Sequence, residues 1–304
     1  MHGIMFHHFH REDSMSRPGS FSSTDFSRAL DLLEPDFEIV SPEAFFWGRE
    51  QKVLPEKQVL LTFDDSLRSQ FDVAVPVLEE RGLSGAFAVY TSIYTGEPDP
   101  LEIFATFRAQ AFPDFHRFWQ AFLAVDHLDI ASVLEKAHAA VAAGFLGAFP
   151  FYSEEEKLFR FVRDHSLSRE EYQTVMWSMI RQHPSFDPET VASELWMSVD
   201  QLKVLADAGH SVGLHSHTHP TRMDLLNREA QQQEYSENYS WILGALGVKP
   251  EFAAHPCGRY NSETLEVISA LGVKFGFCST MELEDQQRDL EIPRRDSAGL
   301  LASV

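Results

Sequence analysis

The chain has 304 residues, 44% of them hydrophobic and 12% aromatic, enough to bury a large core as one barrel-sized domain with an insertion or as two domains. Its 25 basic residues face 46 acidic ones, a formal charge of -21. That balance excludes a phosphate-tracking surface of clustered Lys and Arg, and so nucleic-acid partners, and weighs against strongly anionic substrates.

Residues 1 to 92 read as strand, helix, strand, helix, strand. The spacing predicts a strand over 3–9, running into His7-His8-Phe9-His10, and a helix over 26–33 after the cap signals Ser23-Thr24-Asp25. A second strand follows over 59–63, a helix over 71–81 and a strand over 86–90. The apolar run Val59-Leu60-Leu61 leads into Thr62-Phe63-Asp64-Asp65. Two carboxylates therefore stand at the mouth of a buried strand, where each is costly unless paired or metal-bound. Alone, an Asp-Asp pair commonly marks a turn or a helix N-cap.

Residues 93–195 carry aromatics at helical spacing, among them Phe104, Phe107, Phe118, Phe122, Phe159 and Tyr172, which predicts a bundle of amphipathic helices. Their apolar faces either pack on the rest of the chain or form a substrate lid or dimer surface. Glu154-Glu155-Glu156 reads as a solvated helix start. No Gly/Ser linker separates the block, which favours packing over tethering.

From 196 to 304 the alternation resumes, with helices over 199–208, 228–246 and 262–271 and strands over 211–214, 252–254 and 275–278. Strand and helix in turn imply a parallel sheet with its sites at strand C-terminal ends. Ser211-Val212-Gly213-Leu214 leads into His215-Ser216-His217-Thr218-His219, so His215 and His219 emerge at a strand end and one loop turn aims both at a single ion. Two neutral imidazoles and one carboxylate make a three-ligand site with an open position, the arrangement of catalytic zinc. His217 is expected to point away. Cys257 and Cys278 define no disulfide framework and read as buried thiols.

These residues resemble the polysaccharide deacetylases, the NodB-homology domain also called carbohydrate esterase family four. The family's T-F-D-D motif stands as Thr62 to Asp65, and its H-[ST]-x-x-H motif as His215, Ser216 and His219. The segment Phe252-Ala253-Ala254-His255-Pro256-Cys257-Gly258-Arg259-Tyr260-Asn261 looks like the branch reading F-A-Y-P-Y-G-x-Y-N, with His255 and Cys257 where aromatics usually stand. The resemblance implies a distorted (β/α)7 barrel of the NodB type built from residues 1–92 and 196–304, with residues 93–195 as a mostly helical insertion. It also implies Asp64 as general base, Asp65, His215 and His219 as ligands of one divalent ion, and the backbone N–H of Cys257 as an oxyanion donor.

Two departures stand out. The family's later L-x-x-H-D motif supplies a His as general acid, yet no histidine follows His255. The N-terminal strand resembles a branch beginning Y-H-H, which makes His8 the substitute acid, although His7, His8 and His10 also fit an ordinary strand-to-loop junction. The arginine of the R-x-P-x-G motif, which in the family holds the base ionised, is missing too; Arg294, in Leu290-Glu291-Ile292-Pro293-Arg294, stands where this branch carries L-P-R and is the candidate to replace it, although an arginine before an acidic residue also fits a surface ion pair.

The expectation is a metal-dependent hydrolase that removes an acyl group, N-acetyl first, from a carbohydrate or sugar-linked small molecule, as in making cell-surface polysaccharide. Zinc is the first choice of ion, with iron, cobalt or manganese able to use similar ligands. Alternatives are a non-sugar amidohydrolase of the same superfamily, or a carbohydrate-binding protein that kept the metal and lost turnover. No window holds the ~18 to 20 uncharged apolar residues of a membrane span, and the start lacks a secretory pattern, so the sequence reading is cytoplasmic, with a homo-oligomer open.

Overall fold

Ile4 and Phe6 of the buried strand β1 (His2–Phe6) point to the same face, as do Val59, Leu61 and Phe63 of β3 (Gln58–Phe63), because side chains alternate along a strand. The two strands are parallel with Phe6 opposite Phe63, and Phe63 in turn pairs with Phe87 of β4 (Ala86–Val89). At that shared register the rings stack, Phe6 on Phe63 at 5.6 Å and Phe63 on Phe87 at 4.6 Å. This face meets α1 (Ser23–Leu33), α3 (Val75–Glu80) and the later helices in one continuous apolar core. These findings belong to a computed structural model, which describes residues 1–13, 19–53, 55–96, 100–125, 130–147, 152–282 and 288–300.

The opposite face of the strands lines the inside of a nearly closed barrel. Besides β1, β3 and β4, the sheet contains β2 (Glu38–Ile39), β5 (Ser211–Leu214), β6 (Phe252–Ala254), β7 (Phe275–Phe277) and β8 (Arg294–Asp296). Every ladder is parallel, in the order β7-β6-β5-β4-β3-β1-β8, with β2 added on β3. Ile292, just before β8, bridges Phe277 of β7 and narrows the remaining gap. The expected (β/α)7 architecture is therefore present. Inside, Leu60, Ala86, Ala88, Phe252, Phe275, Phe277 and Ile292 pack with Phe45 and Phe46 of α2 (Pro42–Glu50).

The sequence reading missed α2, β2 and β8. Ser41 accepts the Ala44 N–H and Pro42 occupies the first turn, both ordinary start signals that the reading passed over. Boundaries also differ, most of all the strand expected over 3–9, which ends at Phe6. The cap of α1 is Ser22, in a capping box with Asp25, rather than the following Ser-Thr-Asp run. The helix expected over 71–81 begins as a π-turn, Gln70–Ala74, before α3.

By its contacts the chain divides into two compact units, Met1–Asp99 with Leu195–Val304, and Pro100–Glu194. The first also holds α10 (Val199–Asp207), α11 (Arg228–Leu246) and α12 (Ser262–Ala270). The second contains α4 (Leu101–Ala111), α5 (Phe115–Leu123), α6 (Ile130–Ala142), α7 (Glu154–Phe161) and α8 (Arg169–Arg181), with α9 (Pro188–Leu195) at its end. Here Phe104, Phe118, Phe122 and Tyr172 gather with Phe159, so the aromatics read from the sequence form a core of this unit's own. Residues 93–96, assigned to the insertion from sequence, lie in the first unit, where Tyr94 stacks on Trp241 of α11 at 4.3 Å.

Candidate active site

Alternation along β3 sends Thr62 and Asp64 to the barrel interior, opposite in facing to Leu61 and Phe63. Asp64 and Arg294 are both almost fully buried, and the guanidinium grips the carboxylate bidentately, Nη1 to Oδ1 at 2.8 Å and Nη2 to Oδ2 at 2.7 Å. Arg294 is itself fixed by donating Nε to the Cys278 carbonyl at 2.8 Å and Nη1 to Thr62 Oγ1 at 3.2 Å. Its path runs over Gly3, where an added Cβ would stand 2.8 Å from Arg294 Cγ. Burial, the largest single influence, would push the Asp64 carboxyl up, but Arg294, His215 and His7 together outweigh it, so its pKa lies below the ordinary carboxylate value.

Asp65 follows the strand in a left-handed conformation (φ 79°), which turns its side chain away from that of Asp64. Its Oδ1 lies 3.2 Å from His215 Nε2 and 3.3 Å from His219 Nε2, yet makes no hydrogen bond of acceptable geometry among the described residues. One ligand atom from each of the three residues falls within 4.8 Å of the others. His215 Nδ1 stands 2.8 Å from the Ala254 carbonyl oxygen, which can only accept, so Nδ1 carries the hydrogen and Nε2 presents a lone pair. A lone pair and a carboxylate oxygen facing each other repel unless a proton or a cation lies between them. Burial would strip a proton from His215, but Asp64 and Asp65 together overcome that and raise its pKa, the same field that would hold a cation. These donors fit one divalent ion.

The imidazoles are set by a loop that α11 grips. Glu234 accepts the N–H groups of His217 (2.9 Å) and Thr218 (2.7 Å) and the Thr218 hydroxyl (2.5 Å). One turn later, Asn238 accepts the His215 N–H at 3.0 Å and donates to the Val89 carbonyl at 2.9 Å. Ser216 and His219 both have positive φ, strain that persists because these bonds over-determine the loop. Neither Glu234 nor Asn238 was singled out from sequence, since each looks like an ordinary polar helix residue there. Glu234→Ala is expected to weaken divalent-ion binding by about 10- to 100-fold, measured by calorimetric titration, with the far-UV spectrum unchanged. Unaltered affinity would show that the loop holds its shape without that carboxylate.

An N-terminal histidine stands against Asp64, and it is His7. His7 Nε2 lies 3.8 Å from Asp64 Oδ2, and Gln70 ties the two strand ends together by donating to both the His7 and Asp64 carbonyls. His8 instead stacks on the His7 ring and receives the Phe21 N–H at its carbonyl. His217 turns away as expected, its Nδ1 2.9 Å from Thr91 Oγ1 and its Nε2 3.3 Å from Glu237. Cys257 is exposed and left-handed (φ 52°), correcting the buried-thiol expectation, whereas Cys278 is buried. His255, where an aromatic was expected, is buried beside Tyr260 with Nε2 near the Leu290 carbonyl, and burial lowers its pKa to about 4. The Tyr90 ring approaches His219 at 5.4 Å and meets Trp196 edge-on, a wall that sequence reading overlooked.

A family model described as polysaccharide deacetylase matches residues 171–276, the stretch that carries His215 and His219. No curated protein matches the sequence. Among solved structures, the Streptococcus pyogenes deacetylase PplD in complex with acetate is similar at a TM-score of 0.58 and 16% identity, covering 100% of this chain and 96% of that one. IcaB from Ammonifex degensii is similar at 0.56 and 16% identity, covering 99% and 96%. A de-N-acetylase from Aggregatibacter actinomycetemcomitans gives 0.56 and 14% identity, covering 97% and 95%. The structural likeness shows the shared barrel fold, and the family match and motifs uphold the resemblance to polysaccharide deacetylases.

Proposed function

We propose that this chain is a metal-dependent hydrolase that removes an N-acetyl group from a carbohydrate. The observation that carries the reading is the orphaned Asp65 Oδ1 between two imidazole nitrogens, beside a second carboxylate held apart by Arg294. Asp65, His215 and His219 would hold the ion, zinc first by donor type, with iron, cobalt or manganese as alternatives. A divalent ion at such ligands polarises an acyl oxygen and acidifies water.

The remaining work falls to the chain's own groups. Asp64, kept ionised by Arg294, accepts the nucleophile's proton; its two oxygens offer about four lone-pair sites, and the bidentate pair engages two of them. The Cys257 backbone stands in the turn after β6, where the resemblance puts an oxyanion donor. His7 then protonates the leaving nitrogen, which departs poorly as an anion, and its place beside Asp64 suits an acid and base acting on the same acyl carbon.

Acetate release from N-acetylated sugars, polymeric and precursor-linked, tests the reading together with metal content. A metal-loaded protein that releases no acetate from any of them, yet hydrolyses other amides, would favour the non-sugar amidohydrolase. His7→Ala is expected to cut amide hydrolysis by about 10²- to 10⁴-fold while changing hydrolysis of an activated aryl ester by less than about tenfold, because that leaving group needs no proton. Equal losses on both substrates would instead make His7 a structural residue. The same pair of assays on His8→Ala decides between the neighbours.

A further inference from the structure

At the other end of the barrel, one face of α2 looks across a cavity of about 430 Å³. Its opposite walls are the residues entering β5 (Gly209, His210, Ser211), β6 (Lys249, Glu251) and β7 (Lys274), so it opens at strand N-terminal ends while Asp64, Asp65 and His215 stand at C-terminal ends. Phe46 anchors this side of α2, stacked on Phe275 at 4.7 Å within the barrel core. Beside it Trp47 is 59% exposed, an unusual setting for a side chain whose large apolar area normally seeks burial. Lys274 crosses the cavity wall to bind Glu50 at 2.7 Å and Glu251 at 3.2 Å. Glu43 and Lys249 also line the cavity and make no hydrogen bond or ion pair among the described residues.

We infer that this cavity is a second carbohydrate site, separate from the candidate active site, with Trp47 as the platform for a sugar ring. A pyranose presents an apolar C–H face that packs on an indole and a rim of hydroxyls that each donate and accept. Free groups of both signs, Glu43 and Lys249, suit hydroxyls better than a strongly charged ligand, which one of the two would repel. The volume falls within the usual range of small-molecule pockets. A second copy of the chain fits less well, because one exposed indole in a polar surround supplies little of the buried area a stable interface needs. Such a site would keep a glycan on the protein between turnovers and raise the local concentration of acetyl groups without touching the reaction.

The inference rests on the carbohydrate reading above, and the test separates the two. The probe is an oligosaccharide of N-acetylglucosamine, used with the metal-site variant His215→Ala as background. Saturation-transfer NMR and calorimetric titration report its binding. Adding Trp47→Ala is expected to weaken binding at least tenfold, and Glu43→Gln with Lys249→Met, which leaves the indole in place, to weaken it further than either alone. In the otherwise wild-type protein, Trp47→Ala should leave acetate release from a monosaccharide substrate unchanged. Unchanged oligosaccharide affinity in the Trp47→Ala variant overturns the inference, as does a shift from dimer to monomer with no sugar contact. Trp47-dependent binding in a wild-type protein that releases no acetate would instead overturn the proposed activity and leave this site standing.

Discussion

Asp64→Asn is expected to lower turnover by about two to four orders of magnitude while leaving metal content near one ion per chain. The substitution keeps the size of the side chain but removes the charge that Arg294 neutralises at 2.7 and 2.8 Å. An amide cannot accept the nucleophile's proton as a carboxylate does, and Asp64 is separated from the ligand set by the left-handed turn at Asp65. Turnover on the best substrate and elemental analysis of the same preparation decide the matter, since metal lost in step with activity would make Asp64 a ligand. Arg294→Met is the complementary change. It leaves a buried carboxylate without its partner, a situation that costs about 3 to 5 kcal/mol, so the variant should melt lower and also lose activity as Asp64 takes up a proton.

The second large effect is at the metal. His215→Ala should abolish both stoichiometric ion binding and activity, because it removes one of the three proposed ligands and also the group that links the site to the Ala254 carbonyl on β6. Wild-type protein should bind about one divalent ion, lose activity on chelation and melt at a higher temperature when the ion is restored, since an ion held only by the folded state stabilises it. Tight stoichiometric binding retained by the alanine variant would refute the ligand assignment. Thermal melting with and without ion gives a readout that needs no substrate.

Much of this was legible in residues that are adjacent in sequence. A strand's own alternation and a loop's own spacing bring Asp64, Asp65, His215 and His219 to strand ends, and 3.6- and 2-residue periods expose the long helices and buried strands. α11 shows the extent of this, its 19 residues matching the expected span from end to end. By contrast β2, at two residues, carries too few positions for any period to emerge, and β8 reads Arg-Arg-Asp, with no apolar side chain to mark a strand. The choice between His7 and His8 was out of reach for another reason. Once β1 ends at Phe6 the alternation no longer applies, and the direction of the next ring depends on Gln70 holding the His7 and Asp64 carbonyls together from another element.

The sequence by itself thus determined the alternating α/β plan, the helical character of the middle block and the identity of the acidic pair and the two imidazoles, because each is written in local periodicity or in neighbours along the chain. Tertiary structure decided which groups those residues meet. The Arg294 guanidinium reaches Asp64 across 230 positions only because β8 lies beside β1 and Gly3 leaves room for it. The grip of Glu234 and Asn238 on the imidazole loop, and the cavity beside Trp47, likewise exist only once α11 and α2 have packed on the barrel. Periodicity reports which way a side chain faces; what it faces is set by packing between segments distant in sequence.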